Sequence, residues 1–137
     1  MIELREQLPD KDEYFSLFNT TGWNKEYKAS PDDLERANQN SWLVIAAYDE
    51  SKLVGFGRVV TDFVLHAMIF DMIILPDHQG QGIGTMILER LVDRCLEGGI
   101  RDIQLFCAEG KRAFYEKNGF EVRAVDAPGM QRKRVRV

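Results

Sequence analysis

The chain has 137 residues, of which 45% are hydrophobic and 29% charged, and its formal net charge is −4. These values are typical of one folded domain with one core, and they exclude a disordered or fibrous chain. The negative balance provides no general positive field for nucleic acid or an anionic membrane surface. We therefore expect a single domain over residues 1–137, with no nucleic-acid or membrane partner.

The cysteine content and the N-terminal sequence indicate a cytoplasmic protein. Cys95 and Cys107 both lie in apolar runs, so we expect two buried free thiols in a reducing compartment. The N-terminus has early acidic residues and lacks the apolar centre of a signal peptide, and no apolar run approaches the roughly 20 residues of a membrane span. We expect no metal, because the sequence has no cluster of His and Cys ligands.

The first third of the chain predicts one strand and two helices. A short strand is expected at Ile2–Arg5. "PDKDEYFSLFN" predicts a helix, since proline and acidic residues suit a first turn and the apolar residues recur on one face. "GWNKEYKAS" is expected to be an aromatic-rich loop. A second helix is predicted over residues 31–40, with Ser30 as its N-cap.

Three β-rich runs and a long helix follow. "WLVIAAYD" and "KLVGFGRVVT" predict an antiparallel hairpin, and "AMIFDMIIL" predicts a strand that ends before Pro76. The apolar spacing then becomes helical, with Ile83, Ile87 and Leu91 on one face, until Gly98 and Gly99 end the helix. The fold class predicted from these patterns is mixed α/β, centred on a strand, a glycine-rich loop and a helix.

The C-terminal third predicts further strands around a short helix. "DIQLFCA" and "FEVRAV" are predicted strands, and "GKRAFYEKN" between them is a predicted helix. "MQRKRVRV" is predicted to be a last alternating strand. Its arginines share one face, which favours a solvated edge strand over nucleic-acid binding.

The glycine-rich loop "QGQGIG" predicts a phosphate or diphosphate site. Gly80, Gly82 and Gly84 stand at the start of a helix, where N–H groups lack partners and the helix dipole is positive. Without Cβ atoms, phosphate oxygens can approach these N–H groups closely. The sequence fits neither the P-loop pattern nor the dinucleotide fingerprint G-x-G-x-x-G. The alternative is a turn that only permits tight packing of the helix on the strand.

Two blocks resemble the GCN5-related N-acetyltransferase (GNAT) family. "QGQGIG" after "IILPDH" is similar to the family's acyl-CoA motif, and "FYEKNGF" over residues 114–120 is similar to a second family block. Weaker agreement extends over almost the whole chain. The resemblance implies a mostly antiparallel central sheet flanked by helices and splayed around the cofactor strand, with acetyl-CoA as co-substrate. It also implies a homodimer as one oligomeric state.

The resemblance implies a residue-specific cofactor site. The backbone of Ile73 and Leu75 would bind the pantetheine arm as an added strand, and the glycine loop would hold the diphosphate. A backbone N–H in the stretch 73–75 would polarise the thioester carbonyl. The implied cofactor-binding residues are Ile73, Ile74, Leu75, Gln79, Gly80, Gln81, Gly82, Ile83, Gly84 and Thr85. The chain departs from the family at two positions. Ala108 replaces a frequent asparagine, which removes one side-chain contact to the cofactor, and Gln79 replaces the commoner arginine, which removes one positive charge near the phosphates.

Acetyl transfer to an amine requires a proton acceptor. An alkylamine with a pKa of about 10.4 is neutral in only about one molecule in 2,500 at pH 7. Asp71 is the first candidate because regular strand alternation places it on one face with Ile73 and Leu75. An ion pair with Arg58 on the neighbouring strand is an equal alternative. The lower-ranked candidates are Asp62, His66 and Glu109, and His78 is expected to be exposed.

Tyr115 is the candidate proton donor to the departing sulfur. This role follows from the resemblance and from a phenol that stays protonated at neutral pH. The alternative is a core tyrosine that packs with Phe114 and Phe120. Neither cysteine suggests a covalent intermediate, so direct transfer is expected.

The acceptor side is predicted from aromatic residues in the N-terminal helical region, which covers the acceptor pocket in the resembled family. Trp23 and Tyr27, with Trp42 beside them, could bind an amine or an aryl group, and could equally be core residues. We expect a small-molecule primary amine as acceptor. The alternatives are an acetyltransferase acting on protein amines and a non-catalytic acyl-CoA-binding module.

Overall fold

The structure is a computed structural model that describes residues 1–134. The chain forms two compact units, Met1–Leu105 and a second that begins at Phe106. A single domain over residues 1–137 stays a prediction. No helix in the described part of the chain is long and apolar enough to cross a membrane.

The first unit contains five strands and four α-helices. In chain order they are β1 (Ile2–Arg5), α1 (Lys11–Asn19), α2 (Asn24–Tyr27), α3 (Pro31–Gln39), β2 (Leu43–Asp49), β3 (Lys52–Thr61), β4 (His66–Ile74), α4 (Ile83–Glu97) and β5 (Asp102–Leu105). A 3-10 turn over Pro76–His78 joins β4 to α4. Helix α2 forms where a loop was predicted, because the Asn24 side chain bonds both the N–H and the carbonyl of Ala29 and closes the turn.

The five strands form one sheet in the order β1-β2-β3-β4-β5. The first three pairings are antiparallel, and β4 pairs with β5 in parallel. The prediction of a mixed, mostly antiparallel sheet flanked by helices is confirmed. The paired residues of β4 and β5 end at Ile69 and Leu105, whereas β4 continues to Ile74 along that edge. This continuation carries the strand end that leads to the glycine loop.

Helices cover both faces of the sheet. On one face, Tyr14 and Phe18 of α1 are buried with Phe56 of β3 and Ile73 of β4. We call this the α1 face. On the other face the apolar side of α4, with Ile87 and its neighbours along the helix, is fully buried. The apolar residues of α4, spaced with a period of 3.6, therefore form one buried face, as predicted.

The second unit differs from the sequence prediction. Helix α5 (Arg112–Lys117) is present, but no strand forms at 120–125 or at 130–134, and the remainder of the last predicted strand lies outside the described residues. Val122 and Val125 are exposed there, so the alternating pattern has no partner strand within residues 1–134 on which to bury its apolar side. Cys95 is buried as expected, but Cys107 is exposed, so the prediction of two buried thiols is wrong for Cys107.

Candidate active site

The start of α4 presents bare backbone to solvent. Gly80 and Gly82 have φ of +78° and +84°, which L side chains rarely adopt, and a Cβ on either would meet nothing within 4 Å. No side chain caps the first turn, and the first helical bond runs from the Met86 N–H to the Gly82 carbonyl at 3.1 Å. The N–H groups before Met86 thus lack helical acceptors. This geometry fits a diphosphate, which needs donors, positive potential and close approach.

Gln79 connects the loop to the cofactor strand. Its side-chain Nε2 donates to the Ile74 carbonyl at 3.1 Å. The side chain therefore closes the turn between β4 and the glycines, and it contributes no formal charge to the anion site. A phosphate at this loop would therefore be bound mainly through backbone N–H groups.

His78 supports the same turn from the other side. Its side chain is only 15% exposed and contacts the carboxylates of Asp77 and Asp49 at 2.9 and 3.1 Å, so the prediction of an exposed histidine is wrong. The hydrogen bonds with Asp77 and then Asp49 raise the pKa of His78 above its ordinary value. The bond with His78 in turn lowers the pKa of Asp49. The 3-10 turn is thereby tied to the end of β2.

Strand β4 contains a bulge at Asp71. Phe56 pairs with Ile73 while Arg58 pairs with Phe70, so Asp71 and Met72 both oppose the single residue Gly57. Asp71 has a φ of +56°, which is uncommon for a residue with a side chain but tolerated by aspartate. The regular alternation that we used for Asp71, Ile73 and Leu75 is therefore interrupted.

The bulge changes which peptide groups face the open edge of β4. The Leu75 N–H donates to the Val54 carbonyl of β3, and its carbonyl accepts from the His78 N–H, both at 2.8 Å. The Leu75 N–H is thus already bonded to β3 and is not available to pantetheine, whereas its carbonyl can accept a second hydrogen bond, so pantetheine binding at Leu75 stays a prediction. Since bonding directions alternate along an antiparallel pair, Ile73 also faces β3 and Ile74 faces the open edge.

Asp71 is ion-paired. Its Oδ2 accepts from Arg58 Nε at 2.7 Å, and the two side chains are 23% and 17% exposed. Arg58 also donates to Ser41 Oγ at 3.1 Å and lies over the Phe70 ring. The pair that we considered as the alternative is therefore present, and it leaves Asp71 Oδ1 without a hydrogen bond within residues 1–134. The role of Asp71 in proton transfer stays a prediction.

The lower-ranked candidates have other surroundings. Asp62 accepts from the N–H groups of three consecutive residues of the β3–β4 turn, which lowers its pKa, so it is a turn-forming residue. His66 is exposed near Asp102, and Glu109 is exposed in the second unit. Across residues 1–134, no group of three or more His, Cys, Asp or Glu side chains could hold a metal ion.

The structure separates the predicted acceptor-side aromatics. Trp23 is partly buried, with its ring 5.9 Å from Phe18 on the α1 face. Tyr27 is 58% exposed, and its ring lies 6.4 Å from Phe18. Trp42 instead contacts Phe63 and the Arg94 guanidinium of α4. Trp23 and Tyr27 therefore both lie against the Phe18 ring, whereas Trp42 contacts other residues.

Tyr115 lies in α5 of the second unit and is buried. Its ring packs at 5.0 Å from Phe114 and 6.0 Å from Phe120. Burial, with a smaller effect of Cys107, raises the pKa of Tyr115 to about 12. The phenol therefore keeps its proton at neutral pH, as a proton donor must.

The sequence reasoning missed the two glycines of β3. A Cβ on Gly57 would lie 2.8 Å from Met72 Sδ and 2.9 Å from Leu91 Cδ1 of α4. A Cβ on Gly55 would lie 2.9 Å from Ile87 Cδ1. Glycine in a strand interior often marks a close approach, so "VGFGR" was a usable signal. These glycines let α4, and with it the anion site, lie close against the sheet.

Comparison with known proteins agrees with this geometry. Residues 8–120 match the model of the Acetyltransferase (GNAT) family, and the chain belongs to that family. "Uncharacterized N-acetyltransferase ycf52" of Pyropia yezoensis is 33% identical over an alignment of 108 residues, and the match covers 76% of this chain and 60% of that protein. "Histone acetyltransferase TAP1" of Glycine max is 28% identical over an alignment of 126 residues, and that match covers 84% of this chain and 53% of that protein. The chain thus spans about half to three-fifths of the length of these relatives.

Solved structures share the fold over nearly the whole chain. A GNAT family acetyltransferase from Streptococcus pneumoniae TIGR4 has a TM-score of 0.80 and 26% identity, covering 98% of both chains. The PaiA N-acetyltransferase of Thermoplasma acidophilum, solved in complex with coenzyme A, has a TM-score of 0.74 and 22% identity. That likeness covers 90% of this chain and 91% of that one. The predicted GNAT-type fold is confirmed.

Proposed function

We propose that this protein is an acetyl-CoA-dependent N-acetyltransferase that transfers the acetyl group directly to the primary amine of a small molecule. The observation that carries the proposal is the uncapped first turn of α4, where left-handed Gly80 and Gly82 leave the backbone open. This turn directly follows a strand whose last residues extend beyond their pairing with β5. A diphosphate followed by an extended, amide-bearing arm matches these two neighbouring features.

Within this proposal each element has one task. Residues 79–85 bind the diphosphate through backbone N–H groups, and Ile74, whose carbonyl already accepts from Gln79, offers its N–H to the pantetheine arm. The bound co-substrate supplies an acetyl thioester. An N–H at the end of β4 polarises its carbonyl, because a fixed donor at that oxygen stabilises developing negative charge.

Two side chains handle the protons. Asp71 Oδ1 takes one proton from the ammonium, and the free lone pair then forms the C–N bond as the C–S bond breaks. Tyr115 gives its proton to the departing sulfur and is restored by the second proton of the amine. The Tyr115 phenol keeps its proton at neutral pH, which the donor role requires. The reaction then yields an amide, a thiol and one released proton.

The first test is cofactor binding by a matched pair of glycine variants. Gly82→Ala places a methyl group where the diphosphate would approach, and we expect the affinity for coenzyme A in titration calorimetry to fall at least tenfold. Gly22→Ala is the control, because Gly22 also has a positive φ of +81° and nothing within 4 Å of a Cβ, and it lies outside the loop. It therefore carries the same backbone strain and should keep its affinity. Equal affinity in both variants would refute the loop as the diphosphate site.

The class of acceptor requires a separate screen. Small amines and lysine-containing peptides are compared with acetyl-CoA, and release of free thiol is measured. Strong peptide acetylation would favour the protein-acceptor alternative, which the name of the Glycine max relative supports. If coenzyme A binds but no amine reacts, the binding-module alternative gains. Tyr115→Phe should lower kcat strongly while coenzyme A still binds.

We also propose a location, an oligomeric state and a range of partners. A cytoplasmic location and a homodimer through edge strands remain predictions, as does the lack of a nucleic-acid partner. Sedimentation at several concentrations would determine the oligomeric state.

A further inference from the structure

Tyr14 carries a buried hydroxyl that has no hydrogen-bond partner. The residue is 2% exposed, and within residues 1–134 its oxygen is the one fully buried side-chain N or O atom without a partner. Its ring packs on Phe56 at 4.5 Å between centroids and on Phe18 at 6.1 Å. Phenylalanine would fill this position equally well. Leaving a buried polar group unpaired costs about 1–3 kcal/mol, so the hydroxyl needs another explanation.

The hydroxyl lies near three polar side chains, those of Arg58, Asp71 and Asn38. Asp71 and Arg58 are close enough for their charges to act on the phenol in opposite senses, and the Asn38 side chain is nearby without the geometry of a hydrogen bond. Asn38 is itself 4% exposed. Burial is the largest influence and, with Asp71, it raises the pKa of Tyr14, so the phenol is a donor at every working pH.

Two unused groups therefore lie on the same face of the sheet, because Phe56, on which Tyr14 packs, and Arg58, which pairs with Asp71, are two residues apart in β3. Asp71 Oδ2 is occupied by Arg58, whereas Oδ1 has no hydrogen bond within the described residues. Tyr14 can donate one hydrogen bond, and residues 1–134 provide no acceptor in hydrogen-bonding position for it. A water molecule is stable inside a protein when it has two to four polar partners. The Tyr14 hydroxyl, Asp71 Oδ1 and the Asn38 amide provide such a set.

We propose that Tyr14 is a positioning residue for acetyl transfer, whose hydroxyl donates to a water molecule that Asp71 Oδ1 holds in the acceptor-bound state. This hydrogen bond fixes the Asp71 carboxylate in the orientation that accepts the amine proton. Arg58 fixes the other oxygen, so the carboxylate is held from both sides. The inference rests on the proposed function, in which Asp71 is the proton acceptor.

The test removes only the hydroxyl. In Tyr14→Phe we expect kcat to fall about tenfold, the acidic limb of the pH profile to move to higher pH, and KM for acetyl-CoA to stay unchanged. The pH shift follows because a carboxylate that loses a donor is protonated more easily. We expect the melting temperature to stay the same or rise, since an unpaired buried group has been removed. A purely structural tyrosine would not move the pH profile.

Two further variants complete the design. Tyr48→Phe makes the same change at a buried tyrosine of the same core cluster, where Arg5 lies over the ring, and it should keep the wild-type kcat and profile. Tyr14→Phe added to Asp71→Asn should cause no further loss of kcat, because Tyr14 acts through Asp71. A wild-type pH profile in Tyr14→Phe, or an additive loss in the double variant, would overturn the inference.

The outcomes separate this inference from the proposed function. If Asp71→Asn keeps the wild-type kcat, the proposed proton acceptor is wrong and the inference fails with it. If Asp71→Asn is inactive and Tyr14→Phe behaves as wild type, the inference alone fails. Should Tyr14→Phe not fold, 3-fluorotyrosine incorporated at position 14 is used instead, because it preserves the shape and strengthens the donor. It must then shift the acidic limb, and an unchanged profile would refute the inference.

Discussion

At the scale of single residues, His78 links the 3-10 turn before the glycine loop to the sheet. The imidazole lies between Asp77 and Asp49, and Asp49 also lies near the N-terminal amine. Both carboxylates favour the charged imidazolium, so the folded protein holds this proton more tightly than the unfolded chain. The position of the turn therefore depends on a group that titrates near neutrality.

This arrangement predicts a pH-dependent contribution to stability. The difference in free energy of unfolding between wild type and His78→Asn should be fully present below the unfolded pKa of about 6.5. It should disappear as pH rises through the raised folded pKa. Urea unfolding at a series of pH values measures it. Asp77→Asn should narrow the window, because Asp77 is the larger cause of the raised pKa. A difference that grew with pH would contradict this account.

At the scale of elements, contact between β3 and α4 sets the position of the glycine loop. Gly55 and Gly57 leave room for Ile87 and Leu91 to lie directly on the strand. Ile83, the first residue of the same helix, is also buried, with 1% of its surface exposed. Small residues on the strand and large residues on the helix therefore fix the height of the glycine loop above the sheet.

Gly57→Ala tests this packing. The new methyl group would lie 2.8 Å from Met72 Sδ and 2.9 Å from Leu91 Cδ1, so we expect a loss of about 1–3 kcal/mol in the free energy of unfolding. Gly98→Ala at the end of α4 is the control. A Cβ there would meet only backbone oxygens at 3.5 Å, and its φ of −78° suits alanine, so it should change stability little. Equal effects in both variants would show that the approach is looser than described.

The sequence predicted those features that local patterns determine. The period of α4, the hairpin of β2 and β3 and the glycine loop follow from spacing and residue type, and each lies where it was expected. The bulge at Asp71 was missed because alternation assumes a regular strand, and pairing with Arg58 depends on the neighbouring strand. The burial of His78 depends on Asp49, far away in the chain. The apolar alternation at 120–125 predicted a strand, but a strand also needs a partner.

At the scale of the whole molecule, the first unit combines a rigid centre with an open loop. Strand β2 is buried at all residues but Asp49, whereas residues 79–82 are exposed and lack regular structure. Such differences in burial and hydrogen bonding correspond to large differences in local opening. The glycine loop is therefore a part of the chain that opens more easily than the core.

Hydrogen exchange should resolve these two regions. We expect the amides of β2 and β3 to exchange slowest, and those of Gly80–Gly84 to exchange fast in the free protein. Coenzyme A should protect the loop amides selectively, because they would then donate to phosphate oxygens. Mass spectrometry of peptides with and without coenzyme A measures the change. Protection confined to the second unit, beginning at Phe106, would place the ligand elsewhere.

The extra residue in β4 has a consequence for how this chain tolerates change. Before Asp71 the odd-numbered Leu65 accepts from Asp102 at the start of β5, whereas after Asp71 the odd-numbered Leu75 donates to β3. The extra residue thus changes which residues face outward. Before Asp71 the odd-numbered residues bond to β5, and after it the even-numbered Ile74 faces the open edge. Deleting one of the two residues that oppose Gly57 would restore regular alternation and would leave Ile73 opposite Phe56, with Ile74 still facing outward. What the shorter strand would lose is the extra peptide at which Asp71 adopts its positive φ and pairs with Arg58. The inserted residue therefore serves the position of this carboxylate and not the direction in which the end of the strand faces.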